Sequence, residues 1–361
     1  MLRQFLKLSK EGDLPGLIEF LQVNPNMNIS TNDENAFRVA CYYGHLNVCQ
    51  LLLEVSKAKG KPINISAANE DAFRGACSNG HLHVAQWLLE VKPDINISVA
   101  KEETFRNACS NGHLVICQWL LQVCPSIDIS VNDENAFRFA CERGYLNIAQ
   151  LLLQVSEEKG KPINISAVNE YAFRHACSNG HLDVAQWLLQ VSKEKRKRIN
   201  ISADNGYAFR GACENGHLHV AQWLLQVNSN SYISAHNEWA FRSACINGHL
   251  DVVQWLLQIS EEKGKTIDIS AGDEHVFRNA CYYGHLDVAQ WLQSLKPYLY
   301  VIEYDEKGKM KGYKIREKEE ANWQRRKYLV WLASNDCPEE NKSNLLYKLP
   351  SDVSRMIIGF V

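Results

Sequence analysis

Histidine and cysteine, two residue types that bind metals and take part in catalysis, recur at regular intervals along this 361-residue chain. Histidine stands between glycine and leucine at seven positions: His45, His81, His113, His181, His217, His249 and His285. Cysteine follows alanine shortly before this motif at eight positions: Cys41, Cys77, Cys109, Cys141, Cys177, Cys213, Cys245 and Cys281. Because imidazole and thiolate are good zinc ligands, the two columns could suggest an array of metal sites.

The spacing argues against such an array. One histidine per repeat leaves the ligands too far apart to share an ion, whose ligands lie about 2 Å away. Neighbours such as Cys109 and His113 lack the Cys-x-x-Cys spacing of a zinc site. The chain also lacks the G-x-S-x-G, phosphate-binding loop, H-E-x-x-H and protein-kinase motifs. We therefore expect no enzyme, no metal and no cofactor.

The two columns belong to an internal repeat. The stretch at 169–189, NEYAFRHACSNGHLDVAQWLL, recurs seven more times with small changes. Its phenylalanine lies 32 or 36 residues from the next one, at Phe37, Phe73, Phe105, Phe137, Phe173, Phe209, Phe241 and Phe277. A period of this length indicates a solenoid of stacked repeats. Equivalent cysteines would then lie on the order of 10 Å apart, beyond disulfide reach, as small buried residues of a reducing compartment.

Each repeat predicts two short helices. An Asn or Asp, such as Asn169, is expected to cap the first helix. A Glu then precedes an Arg by four residues, which predicts ion pairs such as Glu34–Arg38 and Glu170–Arg174. Glycine ends the first helix, and the second carries an apolar face with a tryptophan column that we expect in the core. The Ile-Asn-Ile-Ser segment after it predicts an extended turn or short β-finger. Inserts of four residues after four second helices should lengthen the helix or its loop.

The frame resembles the ankyrin repeat. In that family T-P-L-H-x-A-A precedes x-x-G-H-x-x-V-V-x-x-L-L; here A-F-R-x-A-C replaces the first half, and G-H-L-x-V-x-x-x-L-L matches the second closely. The resemblance implies an all-α solenoid over 1–304, with about nine repeats, a degenerate first one and short β-turn fingers. It also implies that the histidines are structural, bonding to neighbouring loops, and that the protein is a non-enzymatic interaction scaffold.

Two columns vary between repeats, and we interpret them as a binding surface for a protein partner. We number the eight clear repeats from the one that contains Phe37. The column after the Glu becomes aromatic in repeats five to seven. The column after the Arg lies, by the resemblance, on the concave face that ankyrin proteins use. Tyr and Trp on a rigid scaffold are good hot-spot residues. The residues predicted to bind are Phe139, Tyr171, His175, Tyr207, Trp239, His236 and His275. The alternative is drift at solvent-facing positions.

The chain after the repeats is expected to form a separate region, 305–361, with a charged linker or polar helix start at 305–320 and helices beyond it. Leu349-Pro350-Ser351-Asp352-Val353, followed by Met356-Ile357-Ile358, resembles the opening of an F-box. Ankyrin solenoids with such an ending resemble those of large DNA viruses, where the segment engages the adaptor subunit of cullin–RING ubiquitin ligases. That resemblance implies adaptor binding through Leu349, Pro350, Val353, Met356 and Ile357. The alternative is a helix that caps the last repeat.

Composition limits the remaining classes of partner. The formal net charge of −2 gives no support for a nucleic-acid or membrane surface. The start of the chain lacks a signal-peptide pattern, and no apolar run reaches the roughly 20 residues that span a bilayer. We expect a cytoplasmic monomer, in the host cytoplasm if the protein is viral. The basic run SKEKRKR at 192–198 is most simply a solvated insert, with a nuclear-localisation signal or a patch for an acidic partner as alternatives.

Overall fold

Helix pairs follow one another along the described part of the chain, as the repeat pattern predicts. The structure is a computed structural model that describes residues 1–228, 235–265, 267–269 and 271–316, with the backbone alone at 100, 101, 235–237 and 271–273. Within these ranges there are nine helix pairs and one β-hairpin. The chain divides into two compact units, Met1–Ala208 and Phe209–Val361.

The first helices of the pairs are α1 (Leu2–Glu11), α3 (Asn35–Tyr42), α5 (Ala67–Ser78), α7 (Val99–Ser110), α9 (Val131–Glu142), α11 (Ala167–Ser178), α13 (Ala203–Glu214), α15 (Ala235–Ile246) and α17 (Ala271–Tyr282). The second helices are α2 (Leu14–Val23), α4 (Leu46–Ala58), α6 (Leu82–Val91), α8 (Leu114–Val123), α10 (Leu146–Glu158), α12 (Leu182–Glu194), α14 (Leu218–Val227), α16 (Leu250–Glu262) and α18 (Leu286–Leu295). The hairpin consists of β1 (Tyr300–Tyr304) and β2 (Met310–Ile315). The helices α1 and α2 form the first of these pairs, in the part of the chain where a degenerate repeat was expected.

A left-handed glycine ends each first helix and starts the turn to the second. Gly44 has a φ of 79°, and the next residue, His45, donates its backbone N–H to the carbonyl of Ala40 at 2.9 Å. This bond satisfies a carbonyl that the end of the helix leaves without a partner. The ring of His81, from the following repeat, lies where a Cβ on Gly44 would stand, so only glycine fits there.

The phenylalanine column forms the core. Phe37, Phe73 and Phe137 are at most 1% exposed. Each packs against a tryptophan of the following repeat, with ring centroids 6.2–6.3 Å apart, in the pairs Phe37–Trp87, Phe73–Trp119 and Phe137–Trp187. These tryptophans are half-buried. They border the core, whereas the sequence had predicted that they lie inside it.

The expected Asn and Asp caps of the first helices are wrong. Asn169 lies in a run of three left-handed residues, Val168 to Glu170, with φ between 54° and 61°. The same kink recurs at 68–70, 132–134 and 204–206. The carbonyl of Asn169 accepts from Nε of Arg174 at 2.7 Å, so this residue offers its backbone to the arginine.

The predicted Glu–Arg ion pairs are also replaced by other contacts. Because the left-handed kink comes before the continuous part of the helix, the glutamate points to the following repeat, where it accepts a backbone N–H of the finger. Glu34 Oε1 accepts from Asn64 N at 3.2 Å, and Glu170 Oε1 accepts from Asn200 N at 3.2 Å. Arg38, Arg74 and Arg174 each form an ion pair with the next repeat instead, and Arg74 also pairs with Asp71 of its own repeat.

The fingers are β-turns and the inserts lengthen the second helices, as expected. In one finger Ala67 N donates to Asn64 O at 3.0 Å, the bond of a β-turn. The helices that carry an insert, such as α12, have 13 residues, against 10 in helices such as α6.

A β-hairpin stands where a charged linker was expected at 305–320, and it crosses the predicted domain boundary at 304. Strands β1 and β2 pair antiparallel, with Tyr300 opposite Ile315. The Asp305 carboxylate accepts from Lys307 N and Lys309 N, both at 2.9 Å, and this closes the turn. Tyr300 is fully buried and stacks on Phe277, with ring centroids 4.1 Å apart and planes 7° apart. The hairpin therefore covers the phenylalanine of the last repeat, as a tryptophan does in earlier repeats.

Candidate functional site

The arginine column joins successive repeats, and its partners explain one of the two variable columns. In repeats one and two, Nη1 of Arg38 contacts Asp71 Oδ2 at 2.7 Å and Nη1 of Arg74 contacts Glu103 Oε2 at 2.6 Å. In repeat three, Nη1 of Arg106 donates more weakly to Asn135 at 3.4 Å. Each partner is the residue that follows the glutamate of the next repeat. That position is therefore the partner of an arginine and is not free of structural constraint.

From repeat five onward an aromatic ring replaces the acidic or amide partner. The guanidinium of Arg138 lies 4.8 Å from the centre of the Tyr171 ring, and that of Arg174 lies 5.2 Å from the centre of Tyr207. In the second unit, Arg210 lies 5.7 Å from the centre of the Trp239 ring. These are cation–π contacts, which fall within about 6 Å of the ring centroid. In the last repeat, Arg242 Nη2 and His275 Nδ1 are 3.5 Å apart.

Four predicted site residues meet in the first unit, and we call them the aromatic cluster: Phe139 on α9, Tyr171 and His175 on α11, and Tyr207 on α13. The rings of Phe139 and Tyr171 meet edge to face at 6.2 Å, and Tyr171 stacks on His175 at 3.9 Å. His175 and Tyr207 are 5.1 Å apart. Each member is half-buried, so the cluster offers part of its ring surface to solvent.

Polar contacts hold the cluster in one arrangement. The hydroxyl of Tyr171 donates to Glu142 Oε2 at 2.7 Å. Burial, the hydrogen bond to Glu142 and the charge of that carboxylate together raise the pKa of Tyr171 to about 12. Burial lowers the pKa of His175, and the charges of Arg174 and Arg138 add to this effect while those of Glu142 and Asp204 oppose it. At neutral pH both rings are therefore uncharged, which suits an apolar contact.

The remaining predicted residues are placed differently. Trp239 belongs to the second unit and is 45% exposed. His275 is half-buried there and contacts Asn279, whose amide nitrogen lies 3.0 Å from Nε2. The backbone of His236 lies in α15, and its side chain is not among those described. The proposed adaptor-binding residues Leu349, Pro350, Val353, Met356 and Ile357 lie outside the described residues.

Family models for ankyrin repeats match most of the repeat array. The model for three copies matches residues 6–99, 173–273 and 212–299, and the model for many copies matches residues 137–189. The chain belongs to the ankyrin-repeat family. The family implies a protein-binding scaffold and is typically non-catalytic.

Solved structures with the same repeats are distant in sequence. The ankyrin repeat domain of human ASB11 is 19% identical, with the match covering 62% of this chain and 96% of that domain at a TM-score of 0.43. An ankyrin repeat family protein from Legionella pneumophila is 20% identical, covering 73% of this chain and 82% of that chain at a TM-score of 0.35. No curated protein matches this chain in sequence.

The histidine column of this ankyrin array has the expected structural role. Nε2 of His45 lies 2.9 Å from the carbonyl oxygen of Lys10, and Nε2 of His113 lies 3.0 Å from that of Ser78. Both histidines thus bond to the end of the first helix of the preceding repeat. Among the side chains that the structure describes, no group of three His, Cys, Asp or Glu residues could hold a metal ion. Nor does any helix in the described ranges have the length and apolar character to cross a bilayer.

Two pairs of buried thiols were missed in the sequence. Sγ of Cys41 lies 3.4 Å from Sγ of Cys49, and Sγ of Cys109 lies 3.3 Å from Sγ of Cys117. Burial raises the pKa of Cys41 and of Cys109, so both stay protonated at neutral pH. All four cysteines are free and buried, as expected for the two that belong to the column, Cys41 and Cys109. The available signal was a second cysteine eight residues after the first in repeats one and three.

Proposed function

We propose that this ankyrin-repeat protein binds a protein partner through the segment where its arginine column changes from acidic to aromatic partners. The observation that carries the proposal is this change, from Asp71 and Glu103 to Tyr171, Tyr207 and Trp239. In the first unit the surface comprises the aromatic cluster, and Trp239 makes the same kind of arginine contact within the second unit.

Stability alone gives no reason for the change. A carboxylate at 2.6–2.7 Å makes a charge-assisted hydrogen bond to arginine, the stronger class of hydrogen bond. A cation–π contact at an exposed site contributes only about 0.5–1 kcal/mol. The aromatic partners therefore bring no clear gain in holding the arginine. They do place Tyr beside Arg in the first unit and Trp beside Arg in the second, and these are the residue types that are enriched in interface hot spots.

The arrangement also lowers the cost of binding. Stacking against His175 and the hydrogen bond to Glu142 already fix the ring of Tyr171. A side chain that is fixed before binding loses little conformational freedom in the complex. A partner with an apolar side chain would contact the ring faces, and the neighbouring guanidinium groups would favour a carboxylate beside it.

The test uses residues that the chain itself offers as replacements. Tyr171→Asn, Tyr207→Asp and Trp239→Glu restore the partners found in repeats two to four, so each arginine keeps a partner and the fold should persist. Proteins captured from a cell extract by the native chain would be identified by quantitative mass spectrometry, and the affinity of each purified candidate measured by calorimetry. The triple variant should bind a true partner at least about tenfold more weakly, because hot-spot residues each contribute about 2 kcal/mol or more.

A matched control removes an exposed ring elsewhere. Tyr282 is 77% exposed, and the corresponding residue in repeat two is Ser78, so Tyr282→Ser alters exposed aromatic surface outside the proposed site. It should leave partner affinity unchanged. Equal affinity of the native chain and the triple variant for every captured protein would refute the proposed surface.

We propose as a second candidate that the chain delivers its bound partner to a cullin–RING ubiquitin ligase through Leu349–Val361. The support is the F-box-like sequence, together with the hairpin that already covers Phe277. Tyr300 already stacks on Phe277, a side chain that a capping helix would otherwise be expected to cover. Such a receptor would act in the cytoplasm as a monomer.

This second candidate is tested by a pulldown of the ligase adaptor with the full chain and with a chain truncated before Leu345. Circular dichroism first establishes that both forms are folded. Adaptor binding that is lost on truncation supports the receptor. Absence of binding by either form leaves a plain scaffold, and a loss of helical stability on truncation identifies the segment as a cap.

A further inference from the structure

The loop after α12 carries the highest positive charge of the four inserts, and it alone contains arginine. The segment 192–198 has a net charge of +4, against +3 for 56–62 and zero for 156–162 and for 260–266. It contains Lys193, Lys195, Arg196, Lys197 and Arg198. The two arginines are specific to this loop, because the loop after α4 has Gly60 and Pro62 at those positions.

Arg196 occupies a backbone position that favours glycine. Its φ is 53°, and the sister residues Gly60, Gly160 and Gly264 have φ of 65–66°. The hydrogen bonds are the same in each loop: Lys197 N donates to Ser192 O at 3.0 Å, as Lys61 N donates to Ser56 O at 3.0 Å. The loop therefore keeps the helix-ending turn of its sisters while a residue with a Cβ takes the left-handed position, which costs free energy.

The charges in this loop fall into two groups. Lys195 forms an ion pair with Glu157 of the preceding insert. Sister residues serve the same purpose, since Nζ of Lys59 donates to Met27 O at 3.1 Å and that of Lys159 to Pro125 O at 2.7 Å. Lysine at this position thus ties one repeat to the one before it.

The other four cations have no such contact. Lys193, Arg196, Lys197 and Arg198 are exposed, and within the described ranges no ion pair or side-chain hydrogen bond engages them. Space is available around the turn, because a Cβ on any of the three sister glycines would meet nothing within 4 Å. Packing therefore does not account for the arginines, and the charge itself is what they add.

We propose that Lys193, Arg196, Lys197 and Arg198 form a docking site for an acidic segment of a protein, separate from the aromatic cluster. Guanidinium groups bind carboxylates through two parallel hydrogen bonds, and arginine is the residue that this loop has gained over its sisters. The loop offers four free cations, fewer than the roughly 6–10 phosphate contacts of a typical DNA-binding protein, and the chain as a whole is slightly acidic. Stable membrane attachment would need a second anchoring signal beside the charge.

The test exchanges the loop for its sister. Arg196→Gly with Arg198→Pro reproduces the Gly-Lys-Pro of the loops after α4 and α10, so the fold should be kept. Fluorescence anisotropy of a labelled octaglutamate peptide at low ionic strength should show affinity about fivefold lower for this variant, because two exposed ion pairs are lost. Its melting temperature should rise, since the left-handed arginine is removed. A control removes as many cations from another loop, with Lys57→Gln and Lys61→Gln, and should leave octaglutamate binding unchanged.

The outcomes separate the possibilities. Equal octaglutamate affinity for the exchanged loop and the native chain overturns the docking site, as does an equal loss in the control pair. If the variant with the exchanged loop melts at the same temperature as the native chain, the inference that the left-handed Arg196 costs stability is wrong. Tighter binding of a single-stranded oligonucleotide or of phosphatidylserine vesicles than of octaglutamate overturns the assignment to an acidic protein segment. A second variant, Arg196→Gln with Arg198→Gln, removes the charges without proline or glycine and should lose binding equally.

Discussion

The guanidinium of Arg174 lies over the ring of Tyr207, 5.2 Å from its centre, and also reaches Asp204 in the same following repeat. Its Nη1 contacts Asp204 Oδ2 at 2.9 Å, and its Nε donates to the carbonyl of Asn169 in the left-handed kink of its own repeat. The side chain of Arg174 is 9% exposed, whereas that of Arg38 is 22% exposed. One buried side chain thus holds the kink of repeat five and the start of repeat six.

Loss of that side chain should destabilise the first unit. Arg174→Ala leaves the kink carbonyls without their donor and removes the ion pair and the ring contact, so we expect a loss of about 2–3 kcal/mol in the free energy of unfolding. Arg174→Lys keeps the charge but cannot make all three contacts, so its free energy of unfolding should lie between those of the native chain and Arg174→Ala. Urea unfolding followed by circular dichroism measures both.

Arg38→Ala is the matched comparison. Its partner Asp71 has a side chain that is 37% exposed, so the loss there should be about 1 kcal/mol. Equal losses for Arg38→Ala and Arg174→Ala would show that burial of Arg174 adds nothing.

The lowered pKa of His175 predicts a loss of stability on mild acidification. Because the fold disfavours the protonated ring, the unfolded chain takes up the proton more readily. The contribution of His175 is therefore complete above its unfolded pKa near 6.5 and falls as the pH drops below that value toward the lower folded pKa. The groups that face this ring are Glu142, Arg138, Arg174 and Asp204.

Melting temperatures between neutral and mildly acidic pH test this prediction. His175→Asn introduces the residue of repeats three and eight. In this variant the melting temperature of the first unit should fall less steeply as the pH is lowered. His275→Asn gives the corresponding change in the second unit as a control. A decline of the same steepness in the native chain and in His175→Asn would assign the pH dependence to other groups.

The sequence was sufficient for the repeat and insufficient for the contacts between repeats. The spacing of the phenylalanines and the glycine after each first helix predicted the helix pairs, because both are set by local backbone geometry and by burial. The Glu170–Arg174 pair failed because a spacing of four residues brings side chains together only in a continuous helix, and the kink at Val168–Glu170 interrupts it.

The sequence identified the members of the aromatic cluster as variable residues, but it did not show that they are partners of the arginine column. That Tyr171 is the partner of Arg138, 33 residues earlier, depends on how one repeat stacks on the next, which no local pattern contains. The hairpin was missed because lysines at 309, 311 and 314 mark an exposed charged segment. Its burial rests on Tyr300 and Ile302, two side chains in a stretch that otherwise resembles a linker.

The buried glutamates should tolerate loss of their charge better than loss of their oxygen. Glu170 is 8% exposed; its Oε1 accepts from Asn200 N, and its Oε2 has no hydrogen-bond partner among the described residues. Glu170→Gln keeps an acceptor for Asn200 and should change the free energy of unfolding by less than about 1 kcal/mol. Glu170→Ala leaves that N–H without a partner and should lose about 1–3 kcal/mol.

Repeat six provides a natural comparison for the glutamate column, because Gly206 stands in place of the glutamate. Urea unfolding of the two Glu170 variants measures the effect. A larger loss for the glutamine variant than for the alanine variant would show that the negative charge itself stabilises the kink.

The hairpin should stabilise the end of the array through Tyr300. This ring is fully buried on Phe277, and its hydroxyl donates to Glu274, whose sister residues accept from the next finger instead. It therefore replaces both the tryptophan and the finger N–H that a further repeat would supply. In a solenoid each repeat depends on its neighbours, so Tyr300→Ala should cost about 3–5 kcal/mol and unfold the last repeat first. Tyr300→Phe keeps the ring and should cost about 1 kcal/mol.

Amide hydrogen exchange in α17 and α18 locates the effect. Tyr304→Ala, at a position that is 44% exposed, is the control for the hairpin itself. Unchanged exchange in α17 on Tyr300→Ala would show that the hairpin lies on the array without stabilising it.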